Sequence, residues 1–510
     1  MKSFDRIKNI HGKPYLYRIT PYYGKSKRKI MQQSKYIGPL QDGKVVQKTA
    51  VTYAYGDLLP LMKAIRDLNI AEVLAKVVKE YSTIVLTMAI NRIISSEAME
   101  PWYEDSYLST LYHIDISSSS ISKAIEAIGA MNLNDLFLKE MLKITGDSDV
   151  LCYHLVSPLS QRMNTEPIEY AYSVSDEELP QIDVLLVEGK NTGVPMFYEV
   201  FPGSVLDVTA VRNTVDFLKS AGIRDITLVM DRQMFFASNI DYFLSGSMDF
   251  IIPATRTQKG IRGIAFESRK TIERDKNIVC SSEGILFAEK RKLTIGKHSI
   301  DAWVYYDPRR DKIERYSFYS ALYERIEKLI HRSISRLEKP RDVAKDILGP
   351  YGNFVSWKYS GTFSTMTRDN VVSQRLKTCG MTVITFTGDH DSSYVMEQYR
   401  KRDSVGKFFL SSKNFIGLEP LSIHSMETLK GHLFVNLIAL TIKSRMLFEM
   451  KTNGLSDIYS IEEMLLELHK LRMIKLQGGR EITTEITGKQ KKILESFSIK
   501  PEHVPTFLNI

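Results

Sequence analysis

Hydrophobic and polar positions along this chain change their period several times, and each change marks a predicted segment. Residues 1 to about 50 alternate over short runs: Tyr15-Leu16-Tyr17-Arg18 reads as a strand ending at Pro21, and Tyr36-Ile37-Gly38-Pro39 as a turn. From about 52 to 145 the period is helical. Leu58, Leu59, Met62, Ile65, Leu68, Ile70, Val73, Leu74, Val77 and Val78 fall near one stripe, a second apolar run covers Thr83 to Ile94, and Ser117 to Ser120 predict the N-cap of a helix reaching Ile128. Residues 149 to 254 predict strands at Val150–Val156, Ile182–Val187, Met196–Phe201, Ile226–Met230 and Phe250–Ile252, with a helix over Leu206–Ser220. The Ile226–Met230 run reads as a buried strand and ends at Asp231, where a side chain opens onto the crevice beyond the sheet edge. Residues 255 to 380 carry more charge, with an alternating stretch Ser299–Tyr306 and a basic helix-like run Tyr323–Leu337. Val383–Phe386 is apolar again, and is followed by a helix through Tyr399 to Lys413, an apolar helix over Leu429–Leu440, and a charged helical tail from 456 to 510.

Composition narrows the class. With 510 residues, 43% hydrophobic and 25% charged, the chain predicts a folded protein of two to four structural units. Three scattered cysteines, Cys152, Cys280 and Cys379, give no disulfide framework and suit a reducing cytosol, and no apolar span is long enough to cross a bilayer, so a cytoplasmic protein is expected. The net charge of +9 is concentrated: residues 1 to 50 hold twelve Lys or Arg against Asp5 and Asp42, an excess of ten. A basic head on a nearly neutral body suggests a polyanion partner. Within it Lys25, Lys27, Arg28 and Lys29 stand near Tyr15, Tyr17, Tyr22, Tyr23 and Tyr36, a mixture suited either to phosphate and base contact or to a solvated edge hairpin guarded by lysines.

Tyr399, Arg402, Gly406 and Lys413 are spaced by three, four and seven residues, which sets them near one stripe of a helix. The spacing resembles the signature Y-x2-R-x3-E-x6-K of a branch of prokaryotic insertion-sequence DDE transposases, with Gly406 at the glutamate position. Gly193–Ser204, Leu228-Val229-Met230-Asp231-Arg232, Asn239-Ile240, Tyr306–Arg310 and Leu429–Leu440 resemble further segments of that family, so the resemblance runs from about residue 10 to 495. It implies an α/β fold in which an RNase H-like core, residues 146–254 and 381–450, is interrupted by a mostly β insertion domain at 255–380. Ahead of the core it implies a helical DNA-binding region at 51–145, itself preceded by the basic β-rich segment 1–50, while 451–510 form the tail. The helical region reads equally well as a scaffold without DNA contact.

The resemblance also implies a chemistry: three carboxylates holding two Mg²⁺ ions for in-line attack on a phosphate of double-stranded DNA at the element's terminal repeats, by a possible homodimer. Asp231 corresponds to the second catalytic aspartate and metal ligand, His154 falls at the first aspartate in Leu151–Ser157, and Gly406 at the glutamate; Arg232, Tyr399, Arg402 and Lys413 correspond to the DNA-contacting set. Imidazole is a poor Mg²⁺ ligand and glycine offers none, so one carboxylate of three remains. Asp147 and Asp149 have the wrong parity on the strand to replace it. Asp403 lies one turn before Gly406 and is displaced by about 5 Å. Gln233 and Phe236 depart from the family's usual residues as well. Loss of strand transfer is therefore expected, leaving a DNA-binding protein; the alternatives are an active transposase using Asp403, and an interaction protein without DNA contact. Cys152, His154 and Asp231 together offer a Zn²⁺-type donor set as a further alternative.

Overall fold

The computed structural model describes residues 4–10, 13–24, 29–41, 44–45, 50–94, 98–131, 133–158, 181–202, 208–254, 259–281, 284–335, 338–409, 425–476 and 479–500. They divide into two compact units: Met1–Lys63, Glu100–Ile114 and Glu449–Ile510 make one, and Ala64–Met99 with Asp115–Phe448 the other.

The larger unit is a mixed α/β structure around a nine-stranded mixed sheet. Its strands are β1 (Asp149–Pro158), β2 (Gln181–Gly189), β3 (Pro195–Pro202), β4 (Asp225–Val229), β5 (Asp249–Pro253), β6 (Ile278–Ser281), β7 (Gly284–Ile295), β8 (His298–Tyr306) and β9 (Met381–Phe386). The spatial order is β3-β2-β1-β4-β5-β9-β8-β7-β6. β1, β2 and β3 form an antiparallel meander; β4 lies parallel to β1, and β5 parallel to β4. All five of the strands expected between 149 and 254 form, joined by the expected helix at Val208–Ser220, because their apolar runs are buried on both faces of the sheet.

The described residues between 255 and 380, expected to be mostly β, hold more helix than strand, with a separate hairpin of Val355–Tyr359 and Phe363–Thr367. They hold helices Lys259–Ser268, Pro308–Ile330, Pro340–Leu348 and Asp369–Leu376, and β6, β7 and β8 extend the central sheet through β9. The 23-residue helix starts where it does because Pro308 occupies its first turn and the Asp307 carboxylate accepts the N–H groups of Arg309 and Arg310. Phe318, Leu322, Ile326 and Leu329 then recur at helical spacing and bury against Leu348, Val355, Phe363 and Leu376, a separate small core.

Helices cover the sheet, among them Asn134–Thr145, Ser392–Phe409 and the long Met426–Thr452. The last is buried almost all round between Leu429 and Ile442, as a helix with apolar residues on every side must be. It meets Ser118–Ala130 backbone to backbone: a methyl group on Gly129 would overlap the Glu427 carbonyl oxygen, and one on Gly431 the Ile125 carbonyl oxygen.

In the smaller unit Phe4–Ile10, Lys13–Gly24, Lys29–Gln41 and Lys44–Val45 form a four-stranded antiparallel sheet. The strand through Tyr15 does not end at Pro21. Among the described residues Phe4–Ile10 pairs only as far as Ile19, and Pro21 is paired on one side, opposite Gln32, so its missing N–H breaks no described ladder on the other. The tail, expected to be helical, has helices at Ile461–His469 and Gly488–Ser496 but also two strands, Arg472–Leu476 and Glu481–Thr483, the first of which pairs with Ala50–Ala54. Among the described residues no helix is long and apolar enough to cross a membrane.

Candidate functional site

Asp231 follows β4, a strand buried after its first residue, and sits at its C-terminal end. Its extended backbone caps the short turn Arg232–Met234, and Oδ1 accepts the Gln233 N–H at 3.0 Å. Oδ2 accepts from Arg402 Nη1 at 3.1 Å. That guanidinium, carried on Ser392–Phe409 and only 10% exposed, also donates to the Met230 carbonyl at 3.0 Å and through Nη2 to Asp403 Oδ1 at 2.8 Å. It lies over the Tyr399 ring at 5.2 Å. Burial by itself would make the guanidinium easier to deprotonate, but the hydrogen bond to Asp403 and the charge of Asp231 hold its pKa above the ordinary arginine value.

Strand alternation decides which β1 residues share this site. Tyr153 donates from its hydroxyl to Gln398 Oε1 at 2.7 Å, and a Cβ built on Gly406 would lie 3.3 Å from Leu155 Cδ2, so Tyr153 and Leu155 face the Ser392–Phe409 helix. His154 therefore faces the other way. Its Nδ1 accepts the Asp231 backbone N–H at 3.4 Å and its Nε2 meets Asp183 Oδ1 at 3.2 Å, an arrangement that assigns the proton to Nε2. The parallel ladder with β4 ends at Tyr153↔Val229, and beyond it the His154 ring reaches the Asp231 backbone N–H while the Leu155 side chain is turned to the helix. The motif alignment counts along the chain and cannot see this one-residue difference, which moves a side chain to the opposite face of the sheet.

On the helix-facing side β2 contributes Glu188, 1% exposed, ion-paired with Lys401 and with Oε2 lacking any hydrogen-bond partner. Burial pushes its pKa from 4.5 up to about 6, with Lys401 opposing the rise. A carboxyl whose folded pKa is raised binds its proton more tightly in the native state. Stability from this group is thus full below pH 4.5 and falls as pH rises through about 6, by about 2 kcal/mol in all. Glu188→Gln, which imitates the protonated acid, is expected to unfold like the parent at pH 4.5 and to exceed it by about 2 kcal/mol above pH 7 in urea titrations. A difference that does not open with pH would contradict this assignment.

The remaining predicted residues separate into three groups. Arg232 is exposed beside Asp231, and Tyr399 is half-buried under Arg402. Arg402, expected to contact DNA, is buried with protein acceptors, and Lys401 is taken up by Glu188. Lys25, Lys27, Arg28 and Lys413 lie outside the described residues, as does the side chain of Lys29. Cys152 is fully buried, and burial raises its thiol pKa; both His154 nitrogens are engaged. Among the described residues no three His, Cys, Asp or Glu side chains are grouped to hold a metal.

A cavity of about 350 Å³ lies between the same helix and the strands β7, β8 and β9, its lining including Tyr305, Arg310, Tyr399, Arg400, Asp403 and Lys407. Sequence reasoning took Arg310 only as part of the family-like segment Tyr306–Arg310 and passed over Asp183 and Glu188. The last two had a legible signal, since a carboxylate at either end of the apolar run Val184-Leu185-Leu186-Val187 is charge placed within a buried strand.

No protein-family model matches the sequence, and no curated protein matches it. Among solved structures the chain is similar to a piggyBac transposase in its synaptic complex with hairpin DNA, at 10% identity and a TM-score of 0.34, over 80% of this chain and 79% of that one.

Proposed function

We propose that this chain is a transposase-related DNA-binding protein that has lost strand transfer. One observation carries the proposal: the Asp231 carboxylate, the acidic group retained from the transposase-like motifs, is neutralised by the buried Arg402 guanidinium where a metal-dependent enzyme needs a second and third carboxylate. The strand order β3-β2-β1-β4-β5, with β2 alone antiparallel to its neighbours, supports an RNase H-like reading of the core.

The donor set does not fit two Mg²⁺ ions. Leu155 is on the helix-facing side of β1 and Gly406 faces it, so neither position offers oxygen, and His154 looks away from the helix. Replacing the two family positions together, His154→Asp with Gly406→Glu, is therefore expected to yield no nicking of element ends in Mg²⁺ or Mn²⁺. The new aspartate would lie against Asp183 on the far face. Nicking by that double variant would contradict the facing assigned to β1.

DNA contact falls in this reading to Arg232, Arg400 and Lys407 around the helix, together with the basic head. Three to five phosphate contacts predict that the logarithm of affinity falls with the logarithm of salt at a slope of about −3 to −5. Salt-independent binding, or none, would favour an interaction protein without DNA contact. A second reading has its own support: Asp231 and Asp403 hold the same guanidinium from two sides, so displacement of Arg402 would leave two carboxylates together. That active-enzyme reading requires nicking by the unmodified protein.

A further inference from the structure

The helix Pro308–Ile330 has one face in the small core and another that nothing covers among the described residues. Ile313, Tyr316, Tyr323 and Ile330 are exposed by 65%, 75%, 65% and 36%. With Ser320 and Glu327, also exposed, they recur at 313, 316, 320, 323, 327 and 330. These alternating steps of three and four residues are the seam of a helix pair, and the buried positions 318, 322, 326 and 329 lie off it. An isolated exposed tyrosine needs no explanation, but large side chains at four of six consecutive seam positions form a stripe about 26 Å long.

We propose that this stripe is the contact between two copies of the chain, paired antiparallel about the point midway between Ser320 and Tyr323. The sequence is self-complementary under that two-fold. Ile313 meets Ile330 of the second copy, Tyr316 meets Glu327, Tyr319 meets Glu324 and Tyr323 meets Ser320, so each phenolic hydroxyl finds an acceptor while its ring is buried. In the single chain Glu324 and Glu327 form exposed pairs with Lys328 and His331, which cost little to rearrange. A parallel pairing would instead stack Glu327 on Glu327. The mixed charge of the stripe's C-terminal half, with Glu324 and Glu327, makes a nucleic-acid partner a poor fit there. A seam of this length is near the lower end of specific interfaces, where weak and transient pairs are found.

The inference does not rest on the DNA-binding reading and is tested without DNA. Nuclease-treated full-length protein in sedimentation velocity is expected to pass from monomer to dimer across the micromolar range. Tyr316→Glu with Tyr323→Glu should remain monomeric with unchanged circular dichroism, while Leu466→Glu, an equally exposed control at 67%, should dimerise like the parent. Orientation is read in a Cys280→Ser background by mixing Ile313→Cys with Ile330→Cys chains, which should oxidise to the mixed dimer in preference to either homodimer. A protein that stays monomeric throughout, a dimer that survives the double substitution, or preferential homodimer cross-linking would overturn the proposal.

Discussion

Arg402→Met is expected to lower the unfolding free energy by about 3 kcal/mol, at the low end of the range for breaking a buried ion pair because Asp231 keeps 21% exposure. The guanidinium donates to the Met230 carbonyl, Asp231 and Asp403 together, and methionine fills much of the volume while supplying none of those donors. Asp231 then keeps only the Gln233 N–H, and the Met230 carbonyl loses its Arg402 donor. Trp303 and Trp357 belong to the same compact unit as Arg402, whereas Trp102 belongs to the other, so tryptophan fluorescence in a Trp102→Phe background reports the relevant transition. If Arg402 were instead a free phosphate-binding cation, the substitution would leave stability within about 0.5 kcal/mol and lower DNA affinity alone.

Gly129→Ala and Gly431→Ala are each expected to cost about 3 kcal/mol or more, since the added methyl meets a carbonyl of the facing helix rather than a movable side chain. Overpacking against a side chain can be relieved by a rotamer change; against backbone the helices Ser118–Ala130 and Met426–Thr452 must separate along their contact. The control is Gly263→Ala, in the helix Lys259–Ser268 with open space around the new methyl. It should stabilise by about 0.5 to 1 kcal/mol through helix propensity. Equal effects at Gly263 and Gly431 in urea unfolding would mean that the two helices are not in backbone contact.

These expectations also mark what sequence could and could not provide. The five strands from Asp149 to Pro253 and the helix between them were legible because their apolar runs have a strand's period and length, with turn residues between them. β8 was legible as a strand through Ser299–Tyr306, but its membership in the central sheet was not, because pairing through β9 joins residues far apart along the chain. The same limit hid the pairing of Ala50–Ala54 with Arg472–Leu476, which brings the two ends of the chain into one unit. At the candidate site Asp231 was legible as a carboxylate at a strand end, and Tyr399 and Arg402 as one helical stripe. The facing of His154 was not, since a motif fixes position along a strand and only the register with β4 and the helix fixes which face is turned to the site. Arg402 shows the complementary limit. A basic residue in a signature is silent on whether its acceptors are phosphates or the protein's own carboxylates; in this structure the Arg402 guanidinium donates to Asp231 and Asp403.

The most direct test of a DNA-binding protein without strand transfer is to incubate the purified chain with labelled DNA carrying its element's ends, in Mg²⁺ and separately in Mn²⁺, and to resolve bound from nicked DNA in the same samples. Salt-sensitive binding with no nicked strand in either metal is the predicted result, and a 3′ nick at the element end that depends on the metal would contradict it.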